Sequence, residues 1–173
     1  MTPNRRAAHS ALLAELDDSS SGRMLDPLEY FVETAWRHLA PTGVSWLGFY
    51  RWDPAADSLV LAARRDRPAC SPIGLHGVCG QSLTLGRTRI VADVGELGSD
   101  YVACDARDRS EIVIPAVWGT PGAHPANLVL DLDSFEPAGF DDDDDRALRE
   151  ALARARITPV AQGSACHGPL LPQ

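Results

Sequence analysis

The 173-residue chain contains no lysine, so all 16 of its basic residues are arginine, and 24 acids outnumber them for a formal net charge of −8. That balance leaves no basic surface able to release many counterions from a phosphate backbone, which excludes nucleic acid as an expected partner. Long apolar runs are also missing. The longest, such as Leu59–Ala63, are strand-sized and far short of the ~20 residues of a membrane span, so no membrane partner is expected. The stretch Met1–Leu16 carries Arg5, Arg6, His9 and Glu15 instead of a continuous apolar segment, so no targeting sequence is expected and the expected location is the cytoplasm. There is no Cys-x-x-Cys pair, and the five histidines (9, 38, 76, 124 and 167) lack ligand spacing. The nearest zinc candidate, Cys70 with His76 and Cys79, is weak, and no metal is expected.

The chain does have enough apolar residues, 45%, for one domain with one core, and too many for a disulfide-stapled scaffold to be needed. A single domain is expected over residues 1–157, with 158–173 a poorly ordered tail rich in Pro and Gly. Thr2 and Pro3 open a short Ala/Leu helix to about Asp18, ended by Ser19–Gly22. Asp26, Pro27 and Glu29 start a second helix, with Glu29 expected to reach back as in a capping box. Its apolar face is Leu28, Phe31, Val32, Ala35, Trp36 and Leu39, and Pro41 stops it.

From Val44 the period becomes two, with Trp46, Gly48 and Tyr50 on one face and Leu47 and Phe49 on the other. A polar turn at Asp53–Asp57 and a returning strand, Ser58–Ala63, make an antiparallel hairpin. A Gly- and Pro-rich stretch, Pro68–Gly80, leads to a short helix ending at Leu85 and a strand over Thr88–Ala92, after which Asp93–Ala103 shows no period. Strands at Glu111–Trp118 and Leu128–Asp133 flank a turn at Gly119–Ala126, and Asp141–Asp145 caps a last helix with Leu148, Ala151, Leu152 and Ala155 inward. Turns, not helical crossovers, join the strand pairs. The expected class is therefore α+β: a central antiparallel sheet of about six strands flanked by helices.

Three groups could carry chemistry. Cys70, Cys79 and Cys104 sit in loop-like segments, where each is either a buried small side chain or a reactive thiol, while Cys166 lies in the tail. Asp131 and Asp133 lie two apart on a strand and share a face, with Glu111 nearby if its strand pairs with theirs. Carboxylates this close resist joint ionisation, so one can hold a proton near neutral pH; the alternative is a solvated strand end. Trp46 and Tyr50 either wall a pocket or fill the core.

Taken in order, Ser45–Tyr50, Pro68-Ala69-Cys70, Gly77-Val78-Cys79-Gly80, Ala103-Cys104-Asp105, Ser110–Pro115 and Leu130–Ser134 resemble the signature of the free methionine-(R)-sulfoxide reductases, which are GAF-domain proteins. The likeness runs from about Asp26 to Leu152. It implies a GAF-like sandwich, often assembled as a homodimer, that needs no metal or organic cofactor and acts on a small molecule, free methionine sulfoxide. By the resemblance, Cys104 is the nucleophile, Cys70 the main resolving cysteine and Cys79 a secondary one. The same likeness makes Glu111, Asp131 and Asp133 the carboxylates for the substrate's ammonium and sulfoxide oxygen, and makes Trp46 and Tyr50 the aromatic wall. Attack on the sulfoxide sulfur would leave a sulfenic acid, which condenses to a disulfide that a thioredoxin-type reductant reopens.

The chain departs from the family pattern at Ala63-Arg64-Arg65-Asp66-Arg67, where a Gly/Pro/Phe-containing stretch is usual, and at Tyr101 and Val102, where His and Ile are usual. The Cys70–Cys79 segment is one residue short and the Asp93–Cys104 segment one residue long. Arg64, Arg65 and Arg67 beside Cys70 suggest a cationic patch that lowers a thiolate pKa or draws a more anionic substrate; the alternative is a solvated hairpin end. Two other functions fit the same residues: a non-catalytic GAF ligand or redox sensor, and a family relative acting on a different small substrate in specialised metabolism.

Overall fold

The computed structural model describes residues 4–18, 26–98, 104–120, 124, 126–161 and 166–167. Thr2, Pro3, Ser19–Gly22, Tyr101 and Val102 lie outside them. Helix α1 (Arg5–Asp18) is followed by α2 (Pro27–Leu39), which starts where the Asp26 carboxylate accepts from the backbone N–H groups of Leu28 and Glu29 at 2.9 and 3.4 Å. Glu29 does not take the capping-box role expected of it. Its carboxylate meets the Arg65 guanidinium at 3.3 Å, where an oppositely charged donor takes the place of a backbone N–H. The apolar face of α2 is buried at Leu28, Phe31, Val32, Ala35 and Leu39, the three-and-four spacing of an amphipathic helix.

Strand β1 (Val44–Asp53) returns through a turn at residues 54–57 as β2 (Ser58–Arg65), two residues beyond Ala63, the end expected from the alternation. The Pro- and Gly-rich loop that follows lies back along the free edge of β2. Leu59 and Ile73 exchange both backbone hydrogen bonds at 2.9 Å, and the Leu61 N–H donates to Ser71 Oγ at 3.0 Å. Helix α3 (Val78–Leu85) ends at Gly86, whose φ of 63° is left-handed. Strand β3 (Arg89–Val91), a single 3-10 turn at Val94–Leu97, β4 (Ser110–Val117), β5 (Leu128–Ser134) and α4 (Asp142–Arg154) complete the main body.

The main sheet runs β2-β1-β5-β4-β3, antiparallel throughout. Two short strands join it: β6 (Thr158–Pro159) pairs with the far end of β4, and β7 (Cys166–His167) lies parallel to β3. Because β3 and β6 share one edge of β4, the seven strands span six positions. Two strand pairings thus fall among the described residues of 158–173, the stretch expected to be a poorly ordered tail.

Alternation along the strands gives the sheet two unlike faces. Leu47, Phe49, Ile112, Ile114, Leu130 and Leu132 join α1, α2 and α4 in one apolar core. Trp46, Tyr50, Val113 and Val129 face the other way and meet Val78 and Leu83 of α3 in a second, smaller cluster. The run of five aspartates caps α4: Asp141 accepts from the N–H groups of Asp143 and Asp144, and Asp144 accepts from the N–H of Asp141 at 3.0 Å. Asp144 also holds Arg5 and His9 of α1, each at 3.2 Å. Among the described residues no helix is long and apolar enough to cross a membrane.

Candidate functional site

The face beneath α3 carries the chemistry, and strand register explains why. Trp46 of β1 lies opposite Asp133 of β5, which lies opposite Glu111 of β4; in the next row on this face, Gly48 is opposite Asp131 and Asp131 opposite Val113. Five of the eight residues expected at the site, Trp46, Tyr50, Glu111, Asp131 and Asp133, therefore share one face by the period of two alone. Gly48 has no side chain for a steric reason: a Cβ there would lie 2.4 Å from the Trp46 ring, which spreads across it. Trp46 and Tyr50 stand with ring centroids 6.1 Å apart.

The three cysteines come from the segments laid over this face. The loop pinned to β2 carries Cys70 above Tyr50, whose hydroxyl donates to the Cys70 carbonyl at 2.9 Å. The backbone N–H of Cys70 donates to Cys104 Sγ at 3.4 Å, which sets the two residues side by side at the surface. Cys79, in the first turn of α3, is buried, and its thiol donates to Asp131 Oδ2 at 3.4 Å. Gly80 beside it allows this approach, because a Cβ there would fall 2.2 Å from the backbone of Leu75.

Two contiguous cavities meet at Cys104. One, of about 290 Å³, is bounded by Cys70, Cys79, Glu111 and the α3 entry; the other, of about 200 Å³, is bounded by Trp46, Arg67 and Asp105. Tyr50, Cys104, Asp108, Asp131 and Asp133 border both. A larger open groove of about 670 Å³ between α1 and α4 contains none of these groups, so chemistry and not size identifies the site.

Carboxylate oxygens of Glu111, Asp131 and Asp133 lie within 4.8 Å of one another, and all three residues are buried. Among the described residues this is the one set of ligand atoms that converges; Cys70, His76 and Cys79 do not form such a group. Burial raises all three acids, followed by the charge of Asp131 for Glu111 and Asp133 and by the charge of Asp108 for Asp131. Asp131 rises to about 7, and Glu111 and Asp133 lie well above the usual carboxylate range. Among the described residues, Glu111 Oε1 and Asp131 Oδ1 have no hydrogen-bond partner. A cluster of buried acceptors with two vacant oxygens matches a compact cation that brings several donors, such as an ammonium group or a hard metal ion.

The Cys104 and Cys79 thiols are both held toward the protonated form. Burial, then the hydrogen bond with Cys70, pushes the Cys104 thiol up to about 12, and burial with the charge of Asp131 raises Cys79 well above its ordinary value. This runs opposite to the lowering expected from a cationic patch at Arg64, Arg65 and Arg67, and the geometry gives the reason. The three arginines diverge. Arg65, inside β2, turns to α2 and pairs with Glu29 and Glu33; Arg64 donates to the Asp66 carbonyl at 2.9 Å; Arg67 is bound to Asp105 at 3.2 Å and to the Ser45 carbonyl at 2.8 Å.

One site residue is not visible from sequence. Asp108 is buried, borders both cavities and is raised by burial and by the charge of Asp105; Ser45 Oγ donates to it at 3.4 Å. In sequence it sits in Asp105-Ala106-Arg107-Asp108-Arg109, which reads as a solvated charged loop. The only local hint is the return to strand two residues later.

Comparison with known proteins places this arrangement among relatives, although no family model matches the chain. An Escherichia coli protein named free methionine-R-sulfoxide reductase is 35% identical over 115 residues, 65% of this chain and 65% of that protein, so the match spans just under two thirds of the relative's length. The X-ray structure of the free methionine-R-sulfoxide reductase from Neisseria meningitidis, in complex with its substrate, is 30% identical and superposes with a TM-score of 0.75 over 90% of each chain. A solved GAF domain superposes with a TM-score of 0.70 at 26% identity, covering 90% of this chain and 89% of its own. The sandwich is thus a GAF fold.

Proposed function

This chain belongs to the free methionine-(R)-sulfoxide reductase family, and from that membership and its site we propose that it reduces free L-methionine-(R)-sulfoxide to methionine through a cysteine sulfenic acid and a Cys70–Cys104 disulfide. The observation that carries the reading is the position of Cys104: its sulfur accepts the N–H of a second cysteine and borders a cavity whose wall holds three buried, closely spaced carboxyls.

The substrate's ammonium group is taken up by the cluster. Asp131, raised to about 7, supplies the countercharge, and burial with neighbouring acids favours the protonated form of Glu111 and Asp133. Trp46 and Tyr50 hold the apolar methyl end. The Cys104 sulfur attacks the sulfoxide sulfur. The thiol hydrogen passes to the sulfoxide oxygen through a carboxyl that gives one proton and takes one back. As the sulfur–oxygen bond to the substrate breaks, the hydroxyl bonds to the Cys104 sulfur, the bond between the two sulfurs breaks, methionine departs with its electron pair, and Cys104 is left as a sulfenic acid. The Cys70 thiol then attacks that sulfur, a disulfide forms and water leaves. Cys79, donating to Asp131, fits a secondary resolving thiol. A dithiol reductant of the thioredoxin type restores both thiols by exchange, itself ending as a disulfide.

An assay coupling NADPH oxidation through thioredoxin, run with the separate R and S epimers of free methionine sulfoxide, tests the reading. The expected result is turnover of the R epimer alone. Calorimetric binding of the sulfoxide without any methionine formed, in the coupled assay or in a single turnover, would overturn it and describe a ligand-sensing GAF domain instead.

A further inference from the structure

Arg67 lies outside the reacting groups, yet it joins four segments around them. One end of its guanidinium bonds the Asp105 carboxylate at 3.2 Å and the other donates to the Ser45 carbonyl at 2.8 Å, at the entry of β1. Its face lies 5.0 Å from the centroid of the Phe135 ring, just past the end of β5. Its own carbonyl accepts the Trp46 indole N–H at 3.0 Å. Asp105 is shared with Arg107, whose guanidinium lies 4.6 Å from the same ring. Cys104 directly precedes Asp105, and Cys70 follows Arg67 by three residues.

Resting on the reductase reading above, we propose that Arg67 is a positioning residue that sets the separation of Cys70 and Cys104 for disulfide closure. The bond in question forms when the Cys70 thiol attacks the sulfur of the Cys104 sulfenic acid, displacing its hydroxyl as water. Both sulfurs are on loops, and the Arg67–Asp105 bond couples those loops directly. A guanidinium can make this bridge because its planar fork serves two acceptors while stacking on a ring; an ammonium serves as a point charge and stacks poorly. Arg64 makes no such link, since its bond goes to the carbonyl of Asp66.

The test separates the two chemical steps in single turnovers with methionine-(R)-sulfoxide, reading methionine release by rapid quench and disulfide closure by thiol alkylation and mass. In Arg67→Gln, methionine release is expected to stay within about threefold of the parent while closure slows by roughly tenfold or more, the scale set by loosened positioning of two reacting groups. Arg67→Lys should fall between the two, Asp105→Asn should slow closure with no additive effect on Arg67→Gln, and Arg64→Gln should behave as the parent. The same closure is also driven without substrate by hydrogen peroxide, which oxidises the Cys104 thiol to the sulfenic acid and is reduced to water. Parental closure rates in Arg67→Gln and Asp105→Asn under both oxidants would overturn the proposal. If the parent releases no methionine, the reductase reading fails and the peroxide experiment alone decides the role of Arg67.

Discussion

Glu111, Asp131 and Asp133 crowd their carboxyls into one small volume, and the ionisation of Asp131 sets the pH behaviour of the site. Asp131, raised to about 7 by burial, gains its charge within the physiological range, and its two neighbours are raised as well by burial and by the charge of Asp131. An ammonium ligand needs that charge. kcat/KM for methionine sulfoxide is therefore expected to fall as pH drops below about 7, approaching tenfold per unit, and Asp131→Asn should lose both most of the activity and this limb. A flat profile from pH 5.5 to 8 would contradict the assignment. The residues behind this argument were legible because strand alternation puts Trp46, Gly48 and Tyr50, and Asp131 and Asp133, on common faces whatever the tertiary detail. Asp108 and Arg67 were not legible, because their positions depend on irregular loops whose course no periodicity describes.

Among the elements, the same contrast holds. Helix α2 and strands β1, β4 and β5 follow from apolar spacing, and α4 from its aspartates, since each pattern is the burial pattern itself. The 3-10 turn at Val94–Leu97 has only two buried apolar residues in four and no period to betray it. Glu29 and Arg65 deceived for a different reason: each has a good local role, a cap and a hairpin end, but they find one another across α2 and β2. Where the cap is made locally, its contribution can be predicted. Asp141→Ala removes both acceptor bonds to the first turn of α4 and should cost about 1 kcal/mol, read as a fall in Tm of roughly 2–4 °C for a chain of this size. No change in Tm would show that the Asp144 contacts to Arg5 and His9 hold the helix end alone.

Over the whole molecule, the sheet divides labour between an apolar face that supplies the core and a face that buries acids against their preference. That division has a thermodynamic signature. Asp131 is protonated in the folded chain up to about pH 7 but ionises near 3.8 when unfolded, so the folded state binds the extra proton and loses stability as pH rises between those values. The loss is on the order of a few kcal/mol, and Glu111 and Asp133, also raised, act in the same sense. Carboxylates held low at the surface, Glu15 by Arg37, Asp93 by Arg109 and Asp143 by Arg146, act in the opposite sense, contributing above about pH 4 and losing that contribution below it. The ligand-free protein should thus show its highest Tm near pH 5 and a decline to pH 8 that Asp131→Asn reduces; a Tm rising steadily over that range would contradict the buried-acid account.

The central claim is that Cys104 takes the oxygen and Cys70 removes it. It is tested most directly by one turnover of the Cys70→Ser variant with methionine-(R)-sulfoxide and no reductant, followed by a sulfenic-acid trap and peptide mass analysis. The account predicts about one methionine released per chain and the trap attached to Cys104. Release of methionine from a Cys104→Ser chain, or a trap found on Cys79 in place of Cys104, would contradict it.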